Sequence, residues 1–134
     1  MTYCFDTSVI IDLLRADPVV VRFVADHQHD ALITSSVCAF ELFCGIYRLP
    51  GEAKQEKARL QVREALGSFS EVQTFDSVQA ETAGRIWADL SSRGVRIDDI
   101  DVLIAAAALS AGATLITRNA RHFSRVSGLT VLPL

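Results

Sequence analysis

Along this chain, short runs of β-branched and aromatic residues alternate with longer runs whose apolar positions recur every three to four residues. That is the rhythm of strands joined by helices. Residues 2–5 read as a strand that stops at Asp6, followed by Thr7 and Ser8 and a helical run over 9–15. Asp17 and Pro18 supply a cap and a first-turn proline for a second helix, which fades at His27 and His29, two histidines expected in solvent. Residues 31–34 form a second strand. Ser35 and Ser36 then cap a helix over 37–48 that Pro50 and Gly51 end. From 51 to 69 a narrow stripe of Ala53, Leu60 and Leu66 is ringed by charge, the pattern of an outer helix. A third strand is expected at 72–75. Asp76 and Gln79 form a capping box for a helix carrying Val78, Thr82, Ile86 and Leu90, with Trp87 as a core or helix contact and Gly94 as its stop. Strands at 114–117 and 130–132 close the pattern, with a turn over 118–123 between them. The expected class is α/β: three layers, helices on both faces of a mainly parallel central sheet of four to five strands, one domain over 1–134.

The sharpest contrast falls at residues 98–109, where Asp98, Asp99 and Asp101 run directly into eight apolar residues. Carboxylates in a first helical turn gain roughly 0.3 to 1 kcal/mol each from the unpaired amides and macrodipole, and capping suits Asp98 or Asp99. The helix that follows has no polar side, so it is expected to be buried all round and to carry Asp101 inward. A buried carboxylate needs a cation or several donors. On this stretch alone, a hydrogen-bonded structural Asp101 and a metal-binding one stand level.

Composition narrows the field. Half of the 134 residues are hydrophobic and 22% are charged, a globular composition with no repeat or low-complexity stretch. The start, MTYCFD, lacks a basic n-region and meets an acid at position 6, so no signal peptide is expected. The longest uncharged run, 102–117, is too short to span a bilayer. Cytoplasmic residence with no membrane association is the expectation. Cys4, Cys38 and Cys44 form no CxxC pair and read as buried, reduced thiols. The net charge of −3 argues against nucleic-acid binding by bulk electrostatics. A phosphate substrate would need a metal or local arginines.

In parallel sheets, sites form beyond the carboxyl ends of the strands. Asp6 follows the first strand, Glu41 lies on the helix after the second, Asp101 opens the long apolar helix and Asn119 follows the fourth strand. Each has an ordinary alternative: Asp6 as helix cap, Glu41 as a snorkelling or paired acid, Asn119 as a turn former. Together, acids sharing an apolar pocket without a buried cation repel one another unless a metal neutralises them. Oxygen-only ligands suit Mg²⁺ or Mn²⁺ rather than zinc, and phosphodiester hydrolysis is their natural chemistry.

Four segments in this order, FDTSVIIDLL, SSVCAFELFCGI, DVLIAAAAL and LITRNARHF, resemble a PIN-domain ribonuclease of the VapC toxin type across nearly the whole chain. The resemblance implies a PIN-like three-layer fold and a metal-dependent endoribonuclease, the toxin of a toxin–antitoxin pair. It implies Asp6, Glu41 and Asp101 as a catalytic, metal-holding triad with Asn119 at its edge. It also implies a homodimer neutralised by a cognate antitoxin.

The chain departs from that pattern near its end. Many relatives carry a further acid at the Asn119 position or just before the phenylalanine, where His122 stands here, which puts a second metal in question. Asp99 is a substitute ligand if it turns inward, although helix spacing sets it on a different face from Asp101. The Thr7 hydroxyl, or that of Ser8, is a candidate for positioning a water, in competition with helix capping. Arg118, Arg121 and Arg125 follow the site and are candidates for gripping RNA phosphates, against the alternative of a solvated basic turn. The missing acid motivates a second function, a non-catalytic RNA- or protein-binding PIN module. A phosphohydrolase with Asp6 as nucleophile would want an acid where Ser8 stands.

Overall fold

The first strand, β1 (Thr2–Phe5), is apolar on both faces, and Cys4 and Phe5 retain no exposed surface, as a strand covered by helices on two sides requires. The computed structural model describes Met1–Leu134. After β1 the chain runs α1 (Thr7–Leu14), α2 (Pro18–Asp26), β2 (Ala31–Ser35), α3 (Ser36–Tyr47), α4 (Glu52–Ser68), β3 (Glu71–Gln73), α5 (Ser77–Ser92), α6 (Asp99–Ser110), β4 (Thr114–Thr117), α7 (Ala120–Phe123) and β5 (Val131–Pro133). The five strands lie in the order β3-β2-β1-β4-β5, and every pair is parallel. Cys4 aligns with Ile33 on one side and Leu115 on the other, so β1 is the centre of the sheet. The expected α/β class is therefore met by a fully parallel five-stranded sheet.

Caps fix where the helices begin. Asp6, Asp17, Ser35, Asp76 and Asp98 each accept backbone N–H bonds with their side chains at the starts of α1, α2, α3, α5 and α6. Each such cap is worth about 1 kcal/mol. Gly112 ends α6 with φ +61, a conformation that costs an L residue about 1 to 2 kcal/mol. Between its ends, α6 is buried at Val102 and from Ile104 through Ala108, against α5, α3 and β4. The helix was expected to be buried all round; the structure buries its middle but leaves Ile100, Leu103 and Leu109 partly exposed and Asp99 and Ser110 exposed.

Several expected positions fall differently. On α4 the residue that enters the core is Val62, with Ala58 and Leu66 beside it, while Ala53 and Leu60 face outward. On α5 the buried set is Gln79, Ala83, Ile86 and Leu90, so Val78 and Trp87 are exposed, Trp87 by 57%. Both errors are a rotation of the apolar face. Charge surrounding a narrow stripe leaves the helix's angle about its axis weakly specified. Cys44 is exposed rather than buried, and so is Phe40, because α3 turns that side away from the sheet. His27 is half-buried rather than solvated, stacked on Phe23 at 3.9 Å with its Nδ1 2.7 Å from the Phe23 carbonyl oxygen. The third strand ends at Gln73 because the Phe75 N–H turns to the Ser36 hydroxyl, 3.1 Å away. Residues 120–123, expected as part of a turn, form the single helical turn α7, held by the fully buried Phe123. No helix is long and apolar enough to cross a membrane.

Candidate active site

Because every strand is parallel, the carboxyl ends of β1, β2 and β4 and the start of α6 gather at one edge of the sheet. Asp6 sits at the middle of that edge, 5% exposed. Its Oδ1 accepts from the Thr7 amide at 2.7 Å, and its Oδ2 accepts from the Ser8 hydroxyl at 2.9 Å and the Thr117 hydroxyl at 2.7 Å. All three donors are neutral. A nearly buried carboxylate has thus been given hydrogen bonds but no counter-charge.

Glu41 projects from α3 at half exposure, and its Oε1 accepts from the Thr7 hydroxyl at 2.7 Å. Thr7 is the first residue of α1 and Asp6 its cap, so the hydroxyl of Thr7 does not cap the helix; its hydrogen goes to Glu41, and its lone pairs are left to accept. Asp101 enters from the first turn of α6 with its side chain 17% exposed. Burial pushes its carboxyl up from the ordinary aspartate range; the nearby charges of Asp6 and Asp98 add to that, and His122 opposes it. His122 Nδ1 lies 3.4 Å from Asp101 Oδ2. No three acidic, histidine or cysteine side chains are already drawn together as a finished metal cage. The three acids share an edge, linked through Thr7 and by the mutual field of Asp6 and Asp101.

Other candidates are placed elsewhere. Asp99 is exposed and faces Trp87 and Val102 beside α5, so as a substitute ligand it lies on the wrong face, as the two-residue spacing from Asp101 dictates. Asn119 is exposed after β4 and precedes α7 without a side-chain capping bond, while its N–H donates to the Thr117 hydroxyl at 2.8 Å. Arg118 is committed: its guanidinium donates to Asp12 at 2.7 Å, to Asp17 at 3.2 Å and to the Leu134 carbonyl at 2.6 Å. Two acids, of α1 and of the α2 cap, thus already share the fork that was a candidate for an RNA phosphate. Arg121 and Arg125 are exposed and carry no acidic partner.

Sequence reasoning missed two participants. Thr117 binds Asp6 across 111 positions, and no local spacing announces such a bond. Asp98 was legible only as a cap, which it is, yet its charge also bears on Asp101. Cys4 and Cys38, close behind Asp6, are pushed up by burial, Cys38 to about 11, so both remain thiols and supply no ligand.

The family model for the PIN domain matches residues 3–129, which takes in all of these residues. This chain belongs to the PIN-domain family. Among relatives of this PIN domain, Ribonuclease VapC1 of Rickettsia felis is 34% identical over 132 residues, 98% of this chain and 96% of that protein. The tRNA(fMet)-specific endonuclease VapC of Shigella flexneri is 30% identical over 129 residues, 96% of this chain and 95% of that one. The crystal structure of VapBC2 from Rickettsia felis bound to a DNA fragment from their promoter shares the PIN-domain fold with a TM-score of 0.89. That match has 23% identity and covers 100% of this chain and 99% of that chain.

Proposed function

We propose that this PIN domain is a metal-dependent endoribonuclease, the toxin of a toxin–antitoxin pair, with Asp6, Glu41 and Asp101 holding a Mg²⁺ or Mn²⁺ ion. The observation that carries the reading is the environment of Asp6, a carboxylate 5% exposed, beside Asp101, with three neutral donors and no cation. Acids arranged so cost free energy that a hard divalent ion recovers. Such an ion, when bound, stabilises charge developing on the phosphorus centre and favours ionisation of water. The chain's own residues do the rest. Ser8 and Thr117 fix Asp6, Thr7 fixes Glu41, and Asp98 caps α6 so that Asp101 enters from its first turn. Arg121 and Arg125 supply the exposed positive charge for RNA phosphates in a protein of net charge −3.

An antitoxin partner is supported by an apolar groove between α1, α3 and α4, lined by Ile11, Leu14, Leu42, Ile46, Leu49 and Val62. Exposed Phe40 and Tyr47 favour a homodimer or a partner contact along α3. The deciding experiment is cleavage of structured RNAs and total cellular RNA by the wild-type protein and by Asp101→Asn, with Mg²⁺, with Mn²⁺ and with chelator. Cleavage that needs the ion and vanishes in a folded Asp101→Asn is expected. Binding of RNA that survives the substitution, without cleavage by either protein, would make this PIN domain a binding module.

A further inference from the structure

Trp87 is the chain's single tryptophan, and α5 holds it 57% exposed with no other aromatic ring packed on its indole. Two clefts meet at that indole, and Asp99 and Val102 of α6 line both. One, of about 390 Å³, is mainly apolar, walled by Phe75, Ala83 and Leu103. The other, of about 300 Å³, adds Ser91 and Arg96. That is the small end of ligand pockets, which run from about 300 to 1,000 Å³. Arg96 and Asp99 are both exposed and line this same cleft, yet neither makes an ion pair with the other or with any other side chain. Asp99 and Asp101 share the first turn of α6, and a spacing of two residues sets them about 200° apart round the helix. The cleft and the acidic edge therefore flank one helix start, separated by about a helix diameter, roughly 10 to 12 Å.

We propose, on the reading of this chain as a ribonuclease, that the cleft seats one unpaired guanine of the RNA, stacked on Trp87, with Asp99 accepting its N–H groups and Arg96 meeting the adjoining phosphate. Unpaired bases are read by stacking on aromatic rings and by hydrogen bonds to their Watson–Crick edges. An ionised aspartate has two acceptor oxygens and no donor. Guanine alone of the four bases presents two donors side by side on that edge, its ring N1–H and its exocyclic amine. Uracil offers one N–H between two carbonyl oxygens, and adenine and cytosine offer an amine beside a bare ring nitrogen, so each sets a lone pair against the carboxylate. A flat apolar partner laid on Trp87 would bury Arg96 and Asp99 without partners, which costs free energy. A nucleotide gives the indole a ring, the aspartate two donors and the arginine a phosphate.

The test is the fluorescence of Trp87, which no second tryptophan obscures. Protein in chelator, where the RNA stays whole, is titrated with uridine heptamers carrying one central guanosine, inosine or adenosine; inosine keeps the N1–H and lacks the amine. The guanosine heptamer should quench the indole and bind about tenfold tighter than the adenosine one, with inosine between them. Asp99→Asn should erase that order while quenching persists. Trp87→Ala should weaken the guanosine heptamer by about ten- to a hundredfold, and Trp87→Phe should recover part of the loss. Both side chains are exposed, so the fold should be kept, which circular dichroism checks. Equal affinity for the three heptamers overturns the guanine assignment. A wild type that binds none of them, or binds them without a change in Trp87 emission and no better than Trp87→Ala does, overturns the cleft, and metal-dependent cleavage in the same preparation then leaves the ribonuclease reading standing. A dimer that Trp87→Ala dissociates at unchanged RNA affinity also overturns it and gives the cleft to a second copy. The ribonuclease reading fails separately, when protein loaded with Mg²⁺ or Mn²⁺ cuts no RNA although guanosine still quenches Trp87; that outcome upholds the cleft.

Discussion

The Thr7 hydroxyl donates to Glu41 Oε1 at 2.7 Å, joining the first residue of α1 to the middle of α3 across 34 positions. Asp6 and Glu41 are thereby set on one rigid corner, since Asp6 accepts the amide of that same Thr7. Removing the hydroxyl with Thr7→Val releases Glu41 and leaves Asp6 untouched. A hydrogen bond to a charged group is worth about 1.5 to 3 kcal/mol, and the exposure of Glu41 to water returns part of it. RNA cleavage is expected to fall by roughly ten- to a hundredfold, with a stability loss of about 1 kcal/mol by urea denaturation. Thr7→Ser should restore both.

The raised titration of Asp101 sets a pH dependence in the metal-free protein. A carboxyl held above its unfolded value of about 3.9 binds its proton more tightly when folded, so its contribution to stability falls as pH rises through the window between the two values. It stays low at neutral pH. Asp101→Asn should therefore melt higher than the wild type at pH 7 without metal, and the difference should close below pH 4. Saturating divalent ion should reverse the order: at a hundred times its Kd an ion adds about 2.7 kcal/mol to the wild type, and little to the variant. Thermal unfolding at several pH values, with and without Mg²⁺, reads both effects.

Arg118 ties the chain's last carbonyl to α1 and the α2 cap, so its loss is felt as structure. The pairs are about one-third exposed, which limits their worth; Arg118→Gln is expected to cost about 1 to 2 kcal/mol. Hydrogen exchange should quicken in residues 131–133 first, while RNA affinity of the folded fraction stays unchanged.

Arg121 and Arg125 should behave in the opposite way. Their guanidinium groups face solvent without acids, so Arg121→Gln and Arg125→Gln should each leave the unfolding free energy within about 0.5 kcal/mol of wild type. Affinity for single-stranded RNA should drop, and the slope of log affinity against log salt should shrink by about 0.7 for each phosphate contact removed. Filter binding over a salt series measures this.

The sequence was most legible where chemistry and local spacing coincide. Asp6, Asp17, Asp76 and Asp98 sit just ahead of runs with helical spacing, and each is a cap. The apolar run after Asp101 had to be a buried helix, and a buried helix at the sheet edge carries its first-turn acid inward. What stayed hidden depends on rotation and distance. Nothing near Trp87 says that Ala83 and Ile86 take the inner face of α5 in its place. Arg118 looks like a phosphate grip until Asp12 and Asp17, more than a hundred residues earlier, are seen to hold it. The capping box at Asp76 is half made, because Gln79 gives its amide N–H to Asp76 but turns its side chain to Gln73 and leaves its own Oε1 buried without a partner.

The position of β1 also governs when the site can come into being. As the chain leaves the ribosome, β1 emerges first, yet its neighbour β4, which carries Thr117, comes more than a hundred residues later. At ordinary elongation speeds that is a wait on the order of ten seconds. Until β4 inserts, Asp6 lacks one of its three donors, α7 has no strand end to start from, and the sheet's centre is open on one side. Pairings so remote in sequence also form slowly once available, because loop closure must precede them. In a nascent copy the acidic edge is therefore incomplete until β4 has been made and has inserted beside β1.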